Sequence, residues 1–235
     1  MATPTLVLWD IDHTLIETRG VGGELYQAAF EEITGRKLEH KAEITGKTER
    51  AILAETLQLH GLEPGEDYQA KYAEALARQY EQHADELRQR GRALPGAREA
   101  LGALAKLPNV IQTVLTGNLR AVAVTKLWVF GLDGFIDFEV GAYSDDEENR
   151  PKLVAVAQRR ASEKYGAAFD PDNTVIIGDS PSDVETGLKG GAKVIGIASG
   201  KSSVEELRGA GGSFVLSDLT SAADLTRAVQ VRKVR

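Results

Sequence analysis

Leu6-Val7-Leu8-Trp9 is an unbroken apolar run that ends abruptly in two carboxylates, Asp10 and Asp12. A short run of this kind reads as a buried strand. The period of two in a strand puts Asp10 and Asp12 on one side, where the chain leaves the sheet. Open parallel sheets bind ligands in the crevice beyond the carboxyl ends of their strands. Two acids there, with a hydroxyl at Thr14, suit a phosphoryl group and a hard cation held by oxygen ligands, as Mg2+ requires. An Asp-x-Asp after a strand is also an ordinary Asx-turn, so the pair alone does not decide.

Two further strand ends carry polar groups. The run from Val110 to Leu115 ends in Thr116-Gly117-Asn118, and Val175-Ile176-Ile177 ends in Gly178-Asp179, with Asp183 four residues on. Between them Arg150-Pro151-Lys152 opens a helix-like stretch. In order and placement these four segments resemble the motifs of the haloacid dehalogenase superfamily. The first matches the D-x-D-x-T of its phosphohydrolase branch, and the resemblance runs from Leu6 to about Ile197.

The bulk properties narrow the field further. The 235 residues include 42% hydrophobic and 27% charged side chains, ordinary globular composition for a core with or without a smaller module. A net charge of −7 argues against nucleic-acid binding, whose footprint is basic. The absence of cysteine excludes disulfides, thiolate zinc sites and thiol nucleophiles. No signal-peptide pattern precedes Asp10, and no apolar run approaches the ~18 residues of a membrane span. The expectation is a cytoplasmic protein without membrane contact, a monomer or a homodimer.

Along the chain the pattern turns helical after the first motif. Apolar residues recur at helical spacing over Gly23–Ile33, Thr48–Leu59 and a long Asp67–Arg90 stretch, until Leu94-Pro95-Gly96 interrupts. Beyond Pro95 strands and helices alternate, the signature of βαβ units and a parallel sheet. The expected strands lie at Ile111–Leu115, Phe138–Val140, Thr174–Ile177, Val194–Ile197 and Phe214–Leu216. The fold class is therefore α/β: a Rossmann-like parallel sheet core, residues 1–17 and 94–235, with helices on both faces. Residues 18–93 resemble the all-helical C1 cap of the superfamily, inserted after the first strand on linkers near Glu17–Gly23 and Leu94–Gly96. The basic tail from Val231 reads as a frayed, solvated end.

The resemblance implies roles for particular residues. Asp10 is the nucleophile that forms an aspartyl-phosphate, and Asp12 is the acid and then the base. Mg2+ is held by Asp10, the backbone carbonyl of Asp12, and Asp179. Thr116 and the N–H groups of Gly117 and Asn118 form a phosphate cradle at a helix start. Asp183 either binds a metal water, orients the basic group or simply N-caps the following helix. Thr14 sits behind the acids. The third motif departs from the common pattern, which has Lys directly before Pro; here Arg150 holds that place. Lys152 is favoured as the phosphate partner because a helix-borne lysine can point back to the strand ends, with Arg150 the alternative.

Lys47, in Thr45-Gly46-Lys47-Thr48, falls where C1 caps place a substrate loop and is either a substrate contact or a surface lysine. The acidic run Asp145–Glu148 is a solvated loop unless it lines the entrance. His13 is expected to make local hydrogen bonds, and Gly20-Val21-Gly22-Gly23 to serve as a hinge or tight turn.

Together these imply a Mg2+-dependent phosphatase acting on a small phosphorylated metabolite and resembling phosphoglycolate phosphatases. The nearest rival is a phosphomutase of the β-phosphoglucomutase type, which shares both acids. A non-catalytic phosphate-sensing module is remote, since it would be expected to have lost an acid or the threonine.

Overall fold

The computed structural model describes residues 4–230. The basic tail from Val231 lies outside them. The chain runs β1 (Thr5–Trp9), β2 (Ile16–Glu17), α1 (Val21–Thr34), α2 (Glu49–Leu59), α3 (Glu66–Gln82), α4 (Ala84–Arg90) and β3 (Arg92–Ala93). It continues through α5 (Ala97–Ala105), β4 (Val110–Val114), α6 (Arg120–Val129), α7 (Lys152–Tyr165), β5 (Thr174–Gly178) and α8 (Pro181–Gly190). It closes with β6 (Lys193–Ile197), α9 (Val204–Gly209), β7 (Phe214–Leu216) and α10 (Ala222–Gln230).

Five strands form one sheet in the order β4-β1-β5-β6-β7, and every pairing in it is parallel. Parallel sheets are covered on both faces, so their strands are largely apolar and alternate in which layer they feed. Val7 and Trp9 enter one apolar cluster with α5, α6 and α10, whereas Leu6 and Leu8 enter another with α7. Likewise Val175 and Ile177 face the first layer and Ile176 the second. Leu6, Val7, Leu8 and Trp9 are all fully buried, each aliphatic side chain contributing about 1.5–3 kcal/mol. Polar groups in this layer are satisfied: Trp9 Nε1 donates to Gln112 Oε1 at 3.1 Å, and Gln112 Nε2 donates to the Leu101 carbonyl at 3.0 Å.

Central β1 is flanked by β4 and β5, so the ends of all three strands open onto one crevice. Past Asp10 the chain folds back at once. The N–H of His13 donates to the Ile16 carbonyl at 2.8 Å, and His13 takes a left-handed φ of 63°. Its carbonyl accepts the Ser199 hydroxyl at 2.8 Å, which ties the turn to the loop after β6.

Helices α1–α4 lie between β2 and β3, which pair antiparallel through Ile16 with Ala93 and Glu17 with Arg92. This short ribbon adjoins the two expected linkers, 17–23 and 94–96. The module has its own apolar cluster, including Phe30, Leu53, Leu57, Tyr72, Leu76 and Tyr80. Leu119, Val122 and Val129 of the α6 region belong to that same cluster. Gly20, at φ 93°, forms the tight turn into α1.

Two element assignments need correcting. The long helix expected over Asp67–Arg90 is two, broken at His83, where the Gln79 carbonyl accepts both the His83 N–H at 3.0 Å and its ring Nδ1 at 2.9 Å. Phe138–Val140 forms no strand: the segment turns, and only Ala142 makes an isolated bridge, to Leu115. Among the described residues no helix is long and apolar enough to cross a membrane.

Candidate active site

Asp10 follows β1, and Asp179 follows the neighbouring β5. Asp183 sits in the first turn of α8, where its side chain accepts from the Ser180 N–H at 3.0 Å while its own N–H donates to Ser180 Oγ at 3.2 Å. The N-cap is thus Ser180 and not Asp183, which is its capping-box partner at the third helical position, and Asp183 does more. Its Oδ1 accepts from Arg150 Nη2 at 2.6 Å, and the same Nη2 reaches Asp10 Oδ1 at 2.8 Å. Carboxylate oxygens of Asp10, Asp179 and Asp183 all lie within 4.8 Å of one another. Thr14 Oγ1 donates to Asp179 Oδ1 at 3.1 Å.

All three acids and Arg150 are buried. Burial, with Asp183 beside it, raises the Asp10 carboxyl well above the usual range against the pull of Arg150. Burial and Asp183 likewise push Asp179 up to about 7, opposed by Thr14 and Arg150. Three desolvated carboxylates with one guanidinium form an all-oxygen set short of positive charge, and a hard divalent cation fits it. Of the expected metal set, Asp10 and Asp179 cluster, and Asp183 joins them; Asp12, expected to contribute only its backbone carbonyl, turns its carboxylate elsewhere.

A stability prediction arises here. A carboxyl raised in the folded state binds more protons than in the unfolded chain, so stability falls as pH rises through that window. Chelated protein should therefore lose thermal stability between the usual carboxylate range and about pH 7. Mg2+ should raise the melting temperature more at pH 8 than at pH 5.5. A Mg2+ effect independent of pH, measured by calorimetry, would contradict the assignment.

Asp12 belongs to a second cluster. Lys126 Nζ donates to its Oδ1 at 2.8 Å and Oδ2 at 2.7 Å, and Asn118 Nδ2 donates to Oδ2 at 2.8 Å. Lys126 also donates to Asn118 Oδ1 at 2.7 Å, and Asn118 Nδ2 to Thr116 Oγ1 at 2.7 Å. Burial works to raise the Asp12 carboxyl, but Lys126 and Asn118 outweigh it and hold it below its usual range. Burial would likewise lower the Lys126 ammonium, and Asp12 more than offsets that.

Lys126 is only 4% exposed and is the functional candidate that the sequence reading missed. Its signal is positional. Val122, Lys126 and Val129 share one face of α6, so the lysine interrupts an apolar stripe.

The other expected residues divide. Thr116, Gly117 and Asn118 line a cavity of about 290 Å3 together with Asp10, Asp12, Arg150 and Asp179. The Asn118 N–H, expected to cradle phosphate, donates instead to Thr116 Oγ1 at 3.2 Å. Gly117 is glycine because a Cβ there would meet the Lys47 carbonyl at 2.4 Å, where the 44–48 loop closes down.

Lys152, the favoured phosphate partner, is not brought to the acids: its ammonium lies 3.4 Å from Glu147 and its side chain is 66% exposed. Arg150 takes the inward position. Residues two apart in a helical turn project about 200° apart, so one facing in sends the other out.

Lys47 lines the cavity but pairs with Glu55 at 2.5 Å. The acidic run is absent from the cavity lining. Asp145 accepts the Arg120 N–H at 2.6 Å, and Asp146 binds Arg160 through both oxygens at 2.6 and 2.7 Å.

A family model for haloacid dehalogenase-like hydrolases matches residues 7–197. No match was found among curated proteins. Several solved structures share the fold. One, described as a hydrolase from Pseudomonas syringae, is 21% identical with a TM-score of 0.66, covering 97% of this chain and 99% of its own. A predicted phosphatase from Clostridium acetobutylicum is 18% identical with a TM-score of 0.64, covering 98% and 100%. A predicted phosphoglycolate phosphatase from Haemophilus somnus 129pt is 18% identical with a TM-score of 0.66, covering 96% and 99%.

Proposed function

The chain belongs to the haloacid dehalogenase-like hydrolase family, and from that premise we propose that it is a Mg2+-dependent phosphatase of small phosphate monoesters. The observation that carries this reading is the buried cluster of Asp10, Asp179, Asp183 and Arg150, set at one end of a cavity that Asp12 also lines.

A monoester is slow to hydrolyse because its charge repels nucleophiles and its alkoxide leaves poorly; covalent catalysis divides that barrier. In the proposed reaction an Asp10 oxygen bonds to phosphorus as the ester P–O bond breaks, and Asp12 delivers a proton to the departing oxygen. Water then attacks the aspartyl-phosphate, its proton goes to ionised Asp12, and phosphate leaves. The ionised form that Lys126 favours is the one the second step needs.

Arg150 sets the phosphate end. Its Nε is buried without a partner among the described residues, which leaves a donor to offer to a phosphoryl oxygen. Asp10, Asp179 and Asp183 would hold Mg2+, which when bound neutralises charge on the phosphoryl oxygens. Residues 18–93 act as the cap that shuts water out of this cavity.

Hydrolysis of a panel of sugar, polyol, nucleotide and short-acid phosphates tests this function. Release of inorganic phosphate that requires Mg2+ and stops on chelation is the expected result, and no release from any ester would defeat it.

The two basic residues separate in kcat/KM. Arg150→Ala should lose about 10²–10³-fold, as when a preorganised donor to a developing charge is removed. Arg150→Lys should recover little, because an ammonium in place of Nη2 between Asp10 and Asp183 leaves no second donor where Nε stands. Lys152→Ala should stay within about twofold, and the reverse ranking would return the role to Lys152.

A further inference from the structure

Apart from Lys201, which is exposed, the lysines and the arginine lining the cavity already have partners inside the protein. Arg150 is held by Asp10 and Asp183, Lys126 by Asp12 and Asn118, and Lys47 by Glu55. Lys41 rests its ammonium on the Tyr26 ring, 3.6 Å from the centroid. Glu49 differs. It is the first residue of α2, and its N–H donates to the Gly117 carbonyl at 2.8 Å, which fixes it at the seam between the helical module and the 116–118 loop.

Its side chain lines the cavity with Ile52, Tyr80 and Lys126, yet its single hydrogen bond comes from the Tyr72 hydroxyl at 3.3 Å. No ion pair within 4.0 Å of it is found among the described residues, and burial outweighs Lys126 and Lys41, which favour its ionised form. A carboxylate offers about four acceptor positions, and this half-buried one, with a single long bond from the protein, has most of them turned to the cavity.

The remaining question is what supplies them. The cavity, about 290 Å3, has room for roughly ten waters' worth of ligand, hence a phosphate and a short alcohol. With the phosphate among the buried acids and Arg150, the alcohol half extends toward α2. A second anion on it would meet Glu49 directly.

Resting on the phosphatase reading above, we propose that Glu49 reads the alcohol half of the ester. Its carboxylate accepts a hydrogen bond from a hydroxyl or ammonium group there, so the substrate is a polyol or amino-alcohol phosphate and not an ester bearing a second anion.

Binding separates this from the chemistry. Asp10→Asn protein with Mg2+ is titrated calorimetrically with glycerol 1-phosphate, phosphoethanolamine, n-propyl phosphate and phosphoglycolate. Glycerol 1-phosphate, phosphoethanolamine or both should bind at least about tenfold tighter than the last two, the scale of a charged hydrogen bond. The better of the two identifies the donor as hydroxyl or ammonium. Adding Glu49→Gln should cut that advantage below about threefold, and Glu49→Lys should turn preference toward phosphoglycolate.

Equal or tighter binding of n-propyl phosphate or phosphoglycolate overturns the proposal, as does an order untouched by Glu49→Gln or no binding at all. Should Glu49→Gln fail to fold, the order in Asp10→Asn protein alone decides. Turnover of p-nitrophenyl phosphate by the unmodified protein judges the reaction class separately. Turnover with a flat binding order sinks only the role of Glu49, whereas the expected order without turnover of any ester sinks only the phosphatase reading.

Discussion

Asp10→Asn should lower turnover by roughly four to six orders of magnitude, the scale on which loss of a covalent nucleophile is felt. The fold should survive, because the amide is isosteric and removes one of three crowded carboxylates. Asn at this position should remain a hydrogen-bond partner for Arg150 while no longer forming the acyl phosphate. Beryllium fluoride with Mg2+ should bind the unmodified protein as a mimic of the phosphorylated aspartate and should not bind the variant. Steady-state kinetics on p-nitrophenyl phosphate measure the first effect and fluorine NMR the second. Substantial activity in the Asn variant would mean that water attacks phosphorus directly.

The second large effect is expected at Lys126. Removing one partner of a buried ion pair strands the other, at a cost of about 3–5 kcal/mol when both are fully buried. Here the Asp12 side chain is 36% exposed, and the cost of Lys126→Met should be nearer ~2 kcal/mol. Activity should fall about 10²–10⁴-fold, the contribution of a positioned proton-transfer group, because Asp12 loses the donor that binds both its oxygens. Asp12→Asn combined with Lys126→Met should recover much of the stability and none of the activity. Chemical denaturation of the single and double variants gives the coupling energy. Strict additivity would mean that Lys126 acts on stability without acting through Asp12.

Strand ends were legible from sequence because a parallel strand buried on both faces is a plain apolar run, and its polar successor is conspicuous. Asp10, Thr116 and Asp179 all follow such runs, and the sheet brings them to one crevice. Side-chain direction was not legible. Arg150 and Lys152 flank Pro151, both basic, and only the start of α7 settles which one turns inward. Lys126 escaped notice because a lysine on a helix ordinarily reaches water; its place between Val122 and Val129 was the available clue. The strand expected at Phe138–Val140 failed for a related reason: three residues, two of them apolar, cannot distinguish a strand from a buried turn. The break at His83 had no signal in apolar spacing, since the stripe continues from Tyr80 to Leu87 across it.

Helix α6 has a consequence for how this molecule can be taken apart. By chain position it belongs to the sheet layer, where Ala123 and Leu127 pack, but Val122 and Val129 are buried with helices that precede it by decades of residues. A chimaera that exchanged only residues 18–93 for those of a relative would leave two valines, and the lysine between them, against a foreign surface. The transplantable piece is discontinuous: the inserted helices together with one stripe of α6, recoded as a set.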